Sequence, residues 1–323
     1  MNVFLAGATG AIGQRLVPLL VSSGHRVVGT TRTSSKIEAL RAAGAEPVLL
    51  DGLDEAAVMG AVASARPDVI IHQMTALASL RSLKNFDAQF LITNRLRTAG
   101  TQYLLAAARA AGTRRFVAQS YTGWPNIREG SRVKTEEDPI DPSPPPGMAQ
   151  TLDAIRRVEA MVPGAADMTG IVLRYGSFYG PGTSIGPGGE VVSSVRQRKF
   201  PIVGGGAGVW SFTHIDDAAQ AARLAVERGP AGLYNIVDDE PAEVSVWLPE
   251  LARAVGAKPP SRVPAWLARL LIGEAGVAMM TTVRGSSNAK AKRVLGWQPV
   301  HATWRDGFPA MMRGVSASTS PGR

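Results

Sequence analysis

The opening residues Met1 to Gln14, MNVFLAGATGAIGQ, constrain this chain more than any other stretch. Val3 to Ala6 is an apolar run of strand length. Gly7, Gly10 and Gly13 follow at once, and Ile12, Leu16, Leu19 and Leu20 then recur at helical spacing. The pattern predicts a strand, a tight turn and a helix. Gly7 permits a backbone conformation closed to other residues, Gly10 lets the main chain approach a diphosphate, and Gly13 lets the helix pack closely on the strand. The amides of the turn, from Thr9 through Ala11, Ile12 and Gly13, and the positive end of the helix dipole then face an anion. A strand before and a helix after set this turn apart from an ordinary glycine-rich connection.

With 323 residues the chain can bury a large core in one extended domain or two smaller ones. Mean hydropathy is +0.03, and no apolar run reaches the roughly 18 residues of a membrane span. The first apolar run belongs to the fold, not to a secretory signal, so a cytoplasmic protein with no membrane partner is expected. The absence of cysteine excludes disulfides, thiol nucleophiles and thiolate metal sites. The net charge of +9 comes from scattered residues. The pairs Arg114-Arg115 and Arg156-Arg157 lack interleaved aromatics, so no nucleic-acid partner is expected, whereas an anionic cofactor suits the excess charge.

A second strand from His25 to Thr31 ends in Arg32-Thr33-Ser34-Ser35-Lys36. An acidic residue here would bind a ribose 2′-hydroxyl; Arg32 and Ser34 instead accommodate a 2′-phosphate, which favours NADP over NAD. A third strand, Glu46 to Leu50, leads to Asp51 and Gly52, with Asp51 placed to cap the next helix or to contact the adenine amino group and Asp54 read as a helix cap. The fourth strand, Val69 to His72, lays Met74, Thr75 and Ala76 along the cofactor. One long helix is expected over 85–111, and the fifth strand, Arg115 to Gln119, delivers Gln119, Ser120 and Tyr121 to the same edge. This alternation implies an α/β fold with a doubly wound parallel sheet. Residues 123–147, rich in proline, lose all periodicity and read as a functional loop. Helix returns at 149–162, a sixth strand at 169–175 and a last sheet strand at 232–237.

These landmarks resemble the extended short-chain dehydrogenase/reductases of the NAD(P)-dependent epimerase/dehydratase superfamily over nearly the whole chain. They are GATGAIG at 7–13, Asp51, Asn94 with TAGTQYLLAAARAAGTRRFV behind it, LRYGSFYGPG at 173–182, FTHIDDAA at 212–219, GLYNI at 232–236, and LGWQP with WRDGF at 295–308. The resemblance implies a Rossmann domain over 1–175 and 212–240, with Asn94 at the cofactor. A smaller C-terminal substrate lobe takes 176–211 and 241–313, and 314–323 reads as a disordered tail. It also implies a possible homodimer through the helices at 85–111 and 149–162.

The chain departs from the family where the chemistry is expected. Members use a tyrosine and a lysine four residues later, helped by a serine. Here the stretch reads Pro146-Gly147-Met148-Ala149-Gln150-Thr151-Leu152-Asp153, with Ile155 beyond, and none of the five tyrosines has a lysine four residues on. Ser120 matches the serine, and Tyr121 is the candidate acid. Thr75, Tyr121, Met148, Phe178 and Tyr179 are expected to line the substrate pocket, with Trp124 and Trp210. No histidine or carboxylate cluster has metal-ligand spacing. His214 reads as a helix-opening residue with a structural bond. Three readings follow: an NADP(H)-dependent reductase or dehydrogenase on a small carbonyl or alcohol, a nucleotide-sugar epimerase or dehydratase, and a non-catalytic NADP(H) sensor.

Overall fold

The computed structural model describes residues 1–77 and 85–318. Seven strands form one parallel sheet: β1 (Asn2–Ala6), β2 (Arg26–Thr31), β3 (Glu46–Leu49), β4 (Val69–His72), β5 (Arg115–Tyr121), β6 (Thr169–Tyr175) and β7 (Gly232–Ile236). Across the sheet they run β7-β6-β5-β4-β1-β2-β3. The order reverses at β1 and β4, and a crevice opens beyond their carboxyl ends.

The connecting helices cover both faces. They are α1 (Ala11–Ser22), α2 (Ile37–Ala42), α3 (Glu55–Ala65), α4 (Phe86–Gln89), α5 (Leu91–Arg95), α6 (Thr101–Ala110) and α7 (Ala149–Met161). After the short α8 (Glu190–Arg196), α9 (Ile215–Glu227) completes the wrap. Leu5, Ile71 and Val117 pack with Leu16, Leu20 and Ala222 on one face, while Phe4, Ile70 and Phe116 pack with Val62, Leu104 and Val158 on the other. Each of these large buried side chains contributes about 1.5–3 kcal/mol. Asp54 caps α3 as expected, accepting from the Ala57 amide at 3.0 Å.

The stretch expected as one long helix is a broken rod. Asn85 opens it in the left-handed region at φ 52°, and Leu96–Gly100 forms a π-turn between α5 and α6. The 123–147 loop is tied down at several points. Val133 and Lys134 pair in parallel with Gly285 and Ser286, and Asn126 bridges to Ile140.

The second lobe has its own core, in which Phe212, Trp247, Trp304 and Phe308 meet. It draws on α8, α10 (Val244–Ala254), α11 (Ala265–Thr281) and α12 (Trp304–Ser318). Two details correct the expected boundaries. Ala291, Leu295 and Trp297 return to the core of the sheet, and α12 continues past Arg313 to Ser318, so the start of the expected tail is helical. Residues 319–323 lie outside the described residues.

Candidate cofactor and substrate cleft

The glycine turn makes a cradle that side chains would fill. Gly7 sits at φ +94°, where a Cβ would meet the Gln73 carbonyl carbon at 2.8 Å. A Cβ on Gly13 would lie 2.5 Å from the Gly7 carbonyl oxygen. Gly10 is the N-cap of α1 and caps it with no side chain, and the first intrahelical bond runs from the Gln14 amide to the Gly10 carbonyl at 3.0 Å. The amides of Ala11, Ile12 and Gly13 therefore have no carbonyl a turn below them. Thr9 Oγ1 bonds Thr31 Oγ1 at 3.1 Å and ties the turn to the end of β2. This backbone fits a dinucleotide diphosphate.

Beyond β2, Arg32 and Ser34 are exposed, and Arg32 makes no ion pair among the described residues. Asp51 Oδ1 accepts from the Leu53 amide at 3.0 Å, and the Met74 side chain folds over Gly52. His72, at the end of β4, fixes the next segment. Its Nδ1 accepts from the Met74 amide at 3.3 Å, and its Nε2 lies 3.1 Å from the Leu96 carbonyl, so the ring is the neutral Nε2–H tautomer. Burial holds its pKa down to about 4. The Ala76 amide donates to Thr93 Oγ1 at 3.1 Å, and Gln119 Nε2 reaches the Met74 carbonyl at 3.5 Å. Thr75 lies half-buried between them.

The expected catalytic pair separates. Along β5 side chains alternate, so Ala118 and Ser120 face α7 while Gln119 and Tyr121 face the opposite side. Ser120 is buried and donates to Glu159 Oε1 at 2.7 Å; Arg174 clasps the same carboxylate at 2.8 and 2.6 Å. Ser120 is thus tied into a buried network with Glu159 and Arg174, on the other face of β5 from Tyr121. Tyr121 does reach the cleft edge. Its hydroxyl bonds Ser177 Oγ at 2.8 Å, and burial raises its pKa, partly offset by that bond.

The start of α7, where a tyrosine and a lysine are expected, is closed. Thr151 and Ile155 are wholly buried. Thr151 Oγ1 donates to Asp87 Oδ1 at 2.6 Å and accepts from Asn94 Nδ2 at 3.0 Å. Asp87 also accepts from the Gln150 and Thr151 amides at 3.1 and 2.9 Å, capping the helix from outside. Asn94 is accordingly half-buried and held against the start of α7.

Behind Tyr121 lies a largely buried cluster of aromatic and aliphatic side chains, with Trp124 half-buried at its edge. Phe86 and Phe90 stack at 4.3 Å, Trp124 meets Phe86 edge-on at 5.1 Å, and the Tyr121 and Trp124 rings lie 5.8 Å apart. Met148, Leu152, Met279, Val283 and Trp210 complete the cluster. Two expected lining residues lie elsewhere. Tyr179 is wholly buried in the second lobe against Gly307, and Phe178 packs beside Tyr175 on the sheet. Phe86 and Phe90 were hidden in sequence because their four-residue spacing reads as ordinary helix packing. Next to Val283, a cavity of about 530 Å³ is lined by Arg128, Arg132 and Arg284. Arg128 pairs with Asp141 and Arg132 with Glu243; Arg284 has no carboxylate partner among the described residues.

His214, Asp217 and His301 come together although their spacing gave no sign of it, with one ligand atom from each lying within 4.8 Å of the others. The two imidazoles stack face to face at 3.5 Å, which keeps their in-plane lone pairs from converging on one ion. Asp217 is occupied by the Val300 and His301 amides and by His301 Nδ1. His214 Nδ1 accepts from the Asp216 amide at 3.3 Å, a helix-opening bond as expected.

A family model described as NAD dependent epimerase/dehydratase family matches residues 3–236. A protein of Streptomyces sp, 3-diazoavenalumate denitrifying reductase, is 45% identical over 310 residues, covering 95% of this chain and 99% of that one. Among solved structures, UDP-glucose 4-epimerase of Thermus thermophilus in complex with NAD superposes with a TM-score of 0.73 at 22% identity, covering 99% of this chain and 100% of that one. A human epimerase family protein with NADPH gives 0.74 at 18% identity, covering 97% and 99%. These two likenesses establish the fold.

Proposed function

This chain belongs to the NAD dependent epimerase/dehydratase family, and we propose that it is an NADP(H)-dependent reductase whose substrate accepts hydride without needing a proton from a side chain. The observation that carries this reading is the closed start of α7, with Thr151 and Ile155 buried and the phenol of Tyr121 held above its ordinary pKa.

Reducing a carbonyl creates an alkoxide, and epimerising a sugar moves a proton out and back; both need a group of matched pKa. A phenol whose pKa is raised, with no cation bonded to it, is a poor acid. An aryl diazonium ion behaves differently. Hydride added to its terminal nitrogen gives a neutral diazene, which loses N2 and keeps the hydrogen, so charge and atoms balance with no added proton. The similarity to a reductase acting on a diazo acid supports this class of acceptor.

NADP(H), when bound, supplies the hydride. The chain's own residues do the rest. The turn from Gly7 to Gly13 holds the diphosphate, and Arg32 with Ser34 receives the 2′-phosphate. The half-buried rings of Tyr121 and Trp124, backed by the stacked Phe86 and Phe90, offer an apolar face to an aromatic ring. Arg284, whose Nε donates to the Arg128 carbonyl and which has no carboxylate partner among the described residues, offers its remaining donors to a carboxylate at the nearby cavity. The test is to incubate the purified protein with NADPH and matched sets of aryl diazonium acids and aryl ketones. NADPH oxidation with stoichiometric N2 release from the diazonium acids supports the reading; turnover of the ketones alone overturns it.

A further inference from the structure

Arg97 sits on the π-turn, is 7% exposed, and has no partner for Nε or Nη1. Burial depresses its pKa to about 10, and the one carboxylate whose charge supports it is Glu159. That carboxylate is already engaged by Ser120 and by both arms of Arg174. A buried guanidinium with idle donors is costly unless something absent from the free chain completes it.

Its position indicates what that is. Phe90, Asn94 and Arg97 follow at spacings of four and three, so they share one face of the rod, and Asn94 on that face bonds Thr151 of α7. The guanidinium carbon lies 6.0 Å from the centre of the Phe90 ring, and its charge is felt by His72 at the end of β4. Asn94 Oδ1 is also buried and unpartnered. Two idle donors and an idle acceptor therefore stand together beside the carboxyl ends of β4 and β5. With the diphosphate on the Gly7 turn and the adenosine over β2 and β3, the nicotinamide half of the dinucleotide must extend over these same two strands. The π-turn, a deformation that recurs at functional sites, sets the direction of Arg97.

We propose that Arg97 and Asn94 grip the vicinal hydroxyls of the nicotinamide ribose. This inference rests on the cofactor reading above. Hydroxyls both donate and accept, so they match the guanidinium N–H groups and the amide oxygen together, which a phosphate could not.

The test compares two ligands by calorimetric titration: NADPH, and 2′-phosphorylated ADP, which ends at the diphosphate. In Arg97→Met, NADPH affinity is expected to fall roughly 10- to 100-fold, the loss of one or two charge-assisted bonds, while the shorter ligand binds as in wild type. The melting temperature of the free variant should not fall, because an idle buried cation has been removed. Equal weakening of both ligands, or of neither, overturns the assignment. Should the methionine variant fail to fold, Arg97→Lys serves the same comparison, with a smaller selective loss for NADPH expected. A wild type that binds neither ligand sinks the cofactor reading and this inference with it. A wild type that binds both, joined by a variant that does likewise, sinks this inference alone.

Discussion

The two ends of the crevice are built from different parts of the polypeptide. At the β1 end the working surface is backbone: three glycines, unpaired amides, and an N-cap with no side-chain bond. At the β4 and β5 end it is side chains, many of whose polar atoms are used internally, as in the Asp87–Thr151–Asn94 and Ser120–Glu159–Arg174 networks, while Arg97 and the Asn94 oxygen stand idle. A backbone cradle tolerates changes of neighbouring side chains, because its donors survive them. A side-chain site can be rewritten residue by residue. On the proposed function, this difference lets one chain keep a backbone cradle for the nucleotide while the side chains at its reacting end change.

The strongest way to break this contrast is at the cradle. Gly13→Val places atoms where a Cβ already meets backbone at 2.5 Å, so NADPH binding should drop by at least about 100-fold in a fluorescence titration. Retained affinity would show that the turn is not the diphosphate site.

The side-chain end should respond in stability. Glu159→Ala leaves Arg174 buried without its partner, and urea unfolding should show a loss of about 3–5 kcal/mol. Ser120→Ala should cost only about 1 kcal/mol and leave turnover intact. A collapse of turnover with unchanged stability would return Ser120 to the chemistry.

A titration sharpens the same point. His72 is held down to about 4 in the fold against 6.5 when unfolded, so the unfolded chain takes up the proton first as pH falls. The stability advantage of wild type over His72→Asn should be full above pH 6.5 and shrink by up to about 3 kcal/mol as pH falls to 4. An advantage that grows on acidification would mean that the ring is charged in the fold.

A selective effect on the cofactor belongs to an exposed side chain. Arg32→Ser should weaken NADPH about tenfold and leave NADH nearly unchanged. Equal loss of both would place Arg32 away from the 2′-phosphate.

Much of this architecture is legible in the sequence because it is local. The Gly7 turn, the helix that follows it and the Asp54 cap are each specified within a few residues. The direction of Ser120 is not legible because β5 is buried on both faces. Phe116, Val117 and Ala118 are all apolar, so no alternation tells which of Gln119, Ser120 and Tyr121 faces the cleft. Tyr179 is enclosed by Gly307, far along the chain, and nothing in YGPG announces that contact. Nothing in the sequence sets Arg97 apart, because burial of a single charge leaves no periodic mark. The gathering of His214, Asp217 and His301 is likewise a product of the fold alone.

The central claim, that hydride leaves without a side-chain acid, is tested most directly by single-turnover rates in light and heavy water. The comparison pairs wild type with Tyr121→Phe over about pH 6 to 9, using NADPH deuterated at the transferable position and an aryl diazonium acid. The account predicts a primary isotope effect from NADPH, no solvent isotope effect, a flat pH profile, and agreement of the two proteins within about threefold. A solvent isotope effect and an ionisation in the rate profile, both vanishing in Tyr121→Phe, would contradict it.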